Sequence, residues 1–176
     1  MPHRTFEEVV LPHLDAAFNY ARWLTKSDAD AEDVVQDAAV RALRFFSSLR
    51  NDNARAWLLT IVRNTWYARF SKPGRADQYA VLDDMKDERP DEELGPEALI
   101  IQQQAVERVQ RAIGELPSDF REVIVLREIE GLSYKEIAAV IGTPIGTVMS
   151  RLARARERLL AVLDPESTMG GASELS

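Results

Sequence analysis

Between Gly131 and Leu160 the chain sets Ser150, Arg151, Arg154 and Arg158 on the open side of a helix. The other side of that helix carries Val148, Leu152, Ala155 and Leu159 at helical spacing. A guanidinium can give two parallel hydrogen bonds to a guanine edge, and a serine hydroxyl can bond a base or a phosphate. This set is therefore equipped to read duplex DNA from the major groove. Arginines at such spacing also fit a plain solvated face of an amphipathic helix, and both readings stand at this point.

A second basic stretch, Arg55 to Lys72, holds four basic residues and no acid, with Trp57, Trp66 and Tyr67 interleaved. Cations that hold phosphates beside rings that can stack on bases suit a single strand. An aromatic on a small helical domain also serves as core. Trp57 and Trp66 read as core, and Tyr67 as either.

No enzyme site emerges. The chain has no glycine-rich phosphate loop, no nucleophile beside a histidine and no metal-ligand cluster. With no cysteine and only His3 and His13, disulfides and thiolate metal sites are excluded. No catalytic residue, metal or cofactor is expected.

The elements that must position these residues are helical throughout. Ser133 and Glu136 form a capping box ahead of Ile137, Ala138 and Ile141. Gly142 is placed to end that helix with φ > 0. Thr143 is placed to cap the next helix and Pro144 to take its first position. These two helices about a tight turn make a helix-turn-helix pattern. Two more helices precede it. One begins near Pro96 with Leu99, Ile100, Val106, Val109 and Ile113. The other is capped by Ser118 and carries Phe120, Val123, Ile124, Leu126 and Ile129.

The N-terminal part repeats Phe6, Val9, Val10, Leu14, Ala17, Phe18 and Ala21 at three- and four-residue steps. A second helix opened by Asp28 and Asp30 carries Val34, Val35, Ala38, Ala42, Leu43 and Phe46. A third spans about 54 to 71 with Trp57, Leu58, Ile61, Val62 and Thr65. No alternating strand pattern occurs, so the chain is expected to be all-α, as two small helical domains joined by an acidic linker.

The net charge of -7 would argue against a nucleic-acid partner were it spread evenly. It is not, because residues 73 to 100 hold nine acids against three bases, nearly the whole excess. Pro73-Gly74, Pro90 and Gly95-Pro96 punctuate that segment, which lacks a sustained apolar period. Residues 73–95 read as a flexible linker, with a solvated excursion of one domain as the other reading. The opening residues show no signal pattern and no apolar run is long enough to cross a bilayer, so a cytoplasmic location is the expectation. Residues 164–176, with Pro165 and Met169-Gly170-Gly171, read as a disordered tail.

Four ordered stretches carry a resemblance. These are Asp-Ala-Glu-Asp-Val-Val-Gln-Asp at 30–37, Ala-Trp-Leu-Leu-Thr-Ile-Val-Arg-Asn-Thr at 56–65, Leu-Pro-Ser-Asp-Phe-Arg-Glu-Val-Ile-Val-Leu-Arg at 116–127, and the helix-turn-helix itself. Together they resemble an extracytoplasmic-function (ECF) sigma factor of the sigma-70 superfamily. The resemblance implies a non-enzymatic subunit that joins bacterial RNA polymerase core, recognises promoter DNA and helps melt it.

Residues 6–72 would then be sigma domain 2 and 96–163 sigma domain 4. The resemblance assigns core-polymerase binding to Asp33, Gln36 and Asp37, which share a helix face at i, i+3 and i+4. It assigns the -10 element to Arg63, Asn64, Tyr67, Arg69 and Lys72, with the Asn64 amide facing a captured base. It assigns the -35 element to Thr147, Ser150, Arg151 and Arg154, with Arg156 and Arg158 less central. Met149 stands where many members carry a basic residue, and Ala153 is small where some carry a bulkier one. An anti-sigma factor is the further partner the family implies. A sigma-like decoy that binds an anti-sigma factor without DNA, and a helix-turn-helix regulator acting alone, are the alternatives.

Overall fold

The computed structural model describes residues 3–50, 53–70 and 95–166. The expected linker lies outside the described residues apart from Gly95, as do Lys72 and the tail from residue 167 onward. The described residues contain helices and no strand, so the fold is all-α. The first half holds α1 (Phe6–Val10), α2 (Leu14–Thr25), α3 (Asp28–Arg44) and α4 (Ala54–Phe70). The second half holds α5 (Pro96–Gly114), α6 (Ser118–Ile124), α7 (Tyr134–Ile141) and α8 (Ile145–Leu163). Beyond α6 the backbone widens into a π-helical turn, Val125–Ile129, where the Glu130 N–H reaches back to the Val125 carbonyl at 3.0 Å.

Local chemistry sets several boundaries. Thr5 and Glu8 form a capping box on α1, and Ser133 and Glu136 form the expected one on α7. Gly142 ends α7 at φ 67°, a left-handed geometry that glycine adopts without strain. Three expected caps are placed differently. Ser27, not Asp28 or Asp30, caps α3 by accepting the Asp30 N–H at 3.3 Å. Pro117 takes the N-cap position before α6, so Ser118 is its first helical residue. Pro144 likewise precedes α8 in extended conformation, and its carbonyl accepts the Thr147 and Val148 N–H groups. Thr143 is thereby pushed one residue outside the helix, and its buried hydroxyl has no partner among the described residues.

In the first half α2, α3 and α4 pack pairwise, burying Tyr20, Trp23, Val34, Ala38, Leu58, Leu59 and Val62. In the second, α6 and α7 pack on α8 around Val123, Ile124, Leu126, Leu132, Ile137 and Leu152. The two sets are continuous as one core, because α4 lies against α7 and α2 against α6. Two small cores thus share a wall, which raises the fraction of apolar surface that each buries.

Two apolar stripes are not buried as expected. In α5 burial is confined to the C-terminal Ala112, Ile113 and Gly114, while Ile100, Val106 and Val109 are exposed. In α3 Leu43 is 59% exposed, on the side of the helix away from the buried Ala38 and Ala42. No helix among the described residues is long and apolar enough to cross a membrane.

Candidate nucleic-acid interface

Helix α8 forms the open wall of the helix-turn-helix. Val148, Leu152 and Ala155 seat it against the core. That packing turns Ser150 and Arg154 outward and leaves Thr147 and Arg151 half-buried. The Ser150 hydroxyl donates to the Thr147 carbonyl at 3.1 Å, one turn back. Arg156 is committed to Glu128 through Nε and Nη2, at 3.1 and 2.6 Å. Arg158 lies over the Phe120 ring, 4.9 Å from its centroid. Arg154 and Arg151 are thus the arginines of this helix that carry no such commitment to another side chain of the helix-turn-helix unit. Ile145 and Met149, exposed one turn apart, add an apolar strip to the same helix.

Helix α4 presents the second basic surface. Asn64 is exposed, and Trp66 packs half-buried against the core with its ring edge-on to Tyr67 at 4.7 Å. The Tyr67 ring lies 4.4 Å beneath the Arg63 guanidinium, and Arg63 Nη2 donates to the Tyr67 hydroxyl at 3.2 Å. Arg63 Nε also donates to Glu122 Oε1 at 2.5 Å. Burial draws the Arg63 pKa down, but the hydrogen bond and charge of Glu122 outweigh it and leave the value raised. The Tyr67 hydroxyl is pushed up by burial, against the nearby charge of Arg63. The charges of Glu122 and Asp119 push it the same way, and that of Arg151 opposes them.

The candidate acidic face on α3 stands as the spacing suggested: Asp33, Gln36 and Asp37 are all exposed. Asp37 Oδ2 accepts from Arg69 Nη1 at 3.0 Å, which ties this face to the basic surface of α4. Beyond the acids, Val40 and Leu43 stay exposed, continuing the same side of the helix toward its C-terminus. Gln36, Val40 and Leu43 recur at i, i+4 and i+7, a periodicity visible in the sequence. What it could not reveal is that no helix among the described residues packs over this side.

Between the halves runs a polar seam that leaves no local sign in the sequence. Tyr20 donates its hydroxyl to Glu122 Oε1 at 2.5 Å, on the same oxygen that Arg63 reaches. Asn19 donates to Glu130 at 2.8 Å, Asn53 to Glu136 at 2.6 Å, and Lys26 Nζ to the Gly114 carbonyl at 2.9 Å. Tyr20 and Glu122 are buried, and burial together with the Glu122 charge pushes the Tyr20 hydroxyl well above its ordinary value. Every acid of this seam comes from the second half, and Tyr20, Arg63 and the two asparagines that receive those acids come from the first.

Comparison with known proteins reports on the whole arrangement. Residues 9–76 match the family described as Sigma-70 region 2, and residues 106–159 match Sigma-70, region 4. The chain is 39% identical over 137 residues to the ECF RNA polymerase sigma-E factor of Escherichia coli K12, covering 74% of this chain and 72% of that protein. It is 33% identical over 164 residues to the ECF RNA polymerase sigma factor SigE of Mycolicibacterium smegmatis, covering 93% of this chain and spanning 63% of that relative's length. Among solved structures it is similar to the sigma factor RpoE in complex with the anti-sigma factor NepR from Bartonella quintana. There the TM-score is 0.72 at 31% identity, over 92% of this chain and 98% of that one. CnrH in complex with the cytosolic domain of CnrY is similar at a TM-score of 0.60 and 30% identity, over 92% of this chain and 88% of that one.

Proposed function

Because the chain belongs to the ECF sigma factors of the sigma-70 family, we propose that it is a promoter-specificity subunit of bacterial RNA polymerase, restrained by an anti-sigma factor. Its role is binding rather than catalysis. The observation that carries this reading is the ordered pair of DNA-suited surfaces in one chain. Asn64 and the Arg63–Tyr67 stack stand on α4, and Ser150, Arg151 and Arg154 stand on the outer side of a helix-turn-helix.

The division of labour follows from the chemistry. The exposed Asp33, Gln36 and Asp37, with the apolar strip beside them, suit a basic and partly apolar helical surface of core polymerase. Residues 6–72 capture the melted -10 strand, where Asn64 offers both donors and acceptors to an unpaired base edge and Tyr67 a stacking face. Arg63, Arg69 and Lys72 serve its phosphates. Residues 96–163 lay α8 in the major groove at the -35 element, with Arg151 and Arg154 on guanine edges, Ser150 on a base or phosphate and Thr147 near the backbone. Residues 73–95 join the two, and residues 164–176 follow as a tail. Of the two solved relatives, RpoE is in complex with the anti-sigma factor NepR and CnrH with the cytosolic domain of CnrY. That supports the same kind of partner for this chain.

Reading both elements requires the halves to separate. The element names place their centres about 25 base pairs apart, roughly 85 Å at ~3.4 Å per pair. In the closed chain, side chains from the two halves touch at 2.5 Å. Run-off transcription from a promoter library with purified chain and core polymerase tests the proposal. Specific transcripts should appear and fall at least tenfold with Asn64→Ala or Arg151→Ala. Core binding without transcripts would favour the decoy instead.

A further inference from the structure

The ion pair of Arg63 and Glu122 shares its acceptor with a second donor. Arg63 Nε and the Tyr20 hydroxyl converge on one oxygen, Glu122 Oε1, each at 2.5 Å. Both donors belong to the first half of the chain, on α4 and α2, and the carboxylate is lent by α6 of the second half. Glu122 is 5% exposed and Tyr20 is 0% exposed. Arg63 also fixes the Tyr67 ring beneath its guanidinium, and the exposed Asn64 is the next residue along the helix.

We infer that Glu122 occupies, in the closed chain, a site for a backbone phosphate of single-stranded promoter DNA, so that closure and capture of the melted strand exclude one another. The inference rests on the proposed function and deepens it. Two donors aimed at one anionic oxygen are the pattern that takes a phosphate oxygen as readily as a carboxylate. A ring held beside the site gives the attached base a face to stack on. When the halves part to span the two promoter elements, Arg63 and Tyr20 lose their acceptor. The two donors are then left side by side without an anion, and the strand's phosphate takes the place that Glu122 leaves. Glu122 thereby acts as a built-in competitor of the strand, and the apparent affinity for single strands is lowered by the fraction of chain that is closed.

The site can be tested without polymerase, so its failure is separable from failure of the transcription reading. The chain has no cysteine, so cysteines placed at the exposed Arg44 and Gln103 report the distance between the halves by energy transfer. Binding of a fluorescein-labelled single strand of random sequence, about 12 nucleotides long, is followed by anisotropy at low ionic strength. Glu122→Gln should tighten binding about tenfold, the worth of one charge-assisted hydrogen bond, and lengthen the inter-dye distance. Tyr20→Phe added to Glu122→Gln should then weaken binding about fivefold while the distance stays long. In the wild-type chain, saturation with the strand should itself lengthen the distance, since the coupling is reciprocal. That last readout does not depend on how any variant folds. An unchanged wild-type distance at saturation, or no strand binding at all, overturns the inference. So does Tyr20→Phe with no effect in the Glu122→Gln background.

Discussion

Asn53 is where a single substitution reports on both halves of the chain. Its Oδ1 accepts the Ala56 N–H at 3.2 Å and so caps α4, while its Nδ2 donates to Glu136 Oε2 at 2.6 Å. Glu136 at the same time closes the capping box of α7 through the Ser133 N–H at 3.0 Å. The N-termini of the candidate melting helix and of the helix-turn-helix are therefore joined through two side chains. An asparagine cap contributes about 1 kcal/mol. A hydrogen bond to a carboxylate contributes about 1.5–3 kcal/mol, reduced here to about 1 kcal/mol because both side chains are half-exposed.

Asn53→Ala should thus cost about 2 kcal/mol at pH 7, or about 4–8 °C in Tm for a chain of this size. Asn53→Ser keeps a capping oxygen but is too short to reach Glu136, so it should cost about half as much. The pH dependence isolates the second contribution. The Asn53 hydrogen bond, with burial opposing it, holds Glu136 below its ordinary 4.5. A carboxylate lowered on folding stabilises the fold above its unfolded value, and that stability is lost as the pH falls through the folded one. The gap between wild type and Asn53→Ala should therefore shrink toward the cap contribution alone, about 1 kcal/mol, between pH 7 and pH 3. Urea denaturation followed by far-UV circular dichroism at both pH values measures it. A serine variant as costly as the alanine one, or a gap that holds constant with pH, would refute the reasoning.

Glu130 should behave in the opposite sense. Burial raises its carboxyl against the hydrogen bond from Asn19 and the charge of Arg55. Its charging on folding is therefore penalised as the pH rises from the ordinary value through the raised one. Glu130→Gln, which can still accept from Asn19, should be more stable than wild type at pH 8 and level with it near pH 4, as read by thermal denaturation. The reverse order would contradict the assignment. At Gly142, with φ 67° and open space around an added Cβ, the cost of alanine is conformational only. Gly142→Ala should lose about 1 kcal/mol by the same melts and Gly142→Asn distinctly less. Equal losses would place the cost in packing instead.

What was legible in the sequence was legible for local reasons. The capping box of Ser133 and Glu136, the left-handed Gly142 and the stripe of Val148, Leu152 and Ala155 are all written within one or two turns. The exposed positions of Ser150 and Arg154 followed from that stripe, whereas Asn64 came only from the resemblance. Burial on α5 and at the end of α3 depends on whether another helix arrives. The apolar Ile100, Val106 and Leu43 therefore look like core in sequence and stand exposed in the fold. The misplaced caps have a narrower cause, since Ser27 and Pro117 each sit one residue ahead of the residue expected to cap, and Pro144 one residue after it. The seam was out of reach altogether. Tyr20 and Glu122 are 102 residues apart, Arg63 and Glu122 are 59 apart, and nothing periodic links them.

The central claim is that this chain reads promoter DNA as a subunit of polymerase rather than alone. The most direct measurement is selection of random duplex DNA on the immobilised chain, with and without bacterial core polymerase. The account predicts sequence-specific retention only with core, as two enriched blocks centred about 25 base pairs apart. Specific retention by the chain alone would contradict it and mark an independent regulator.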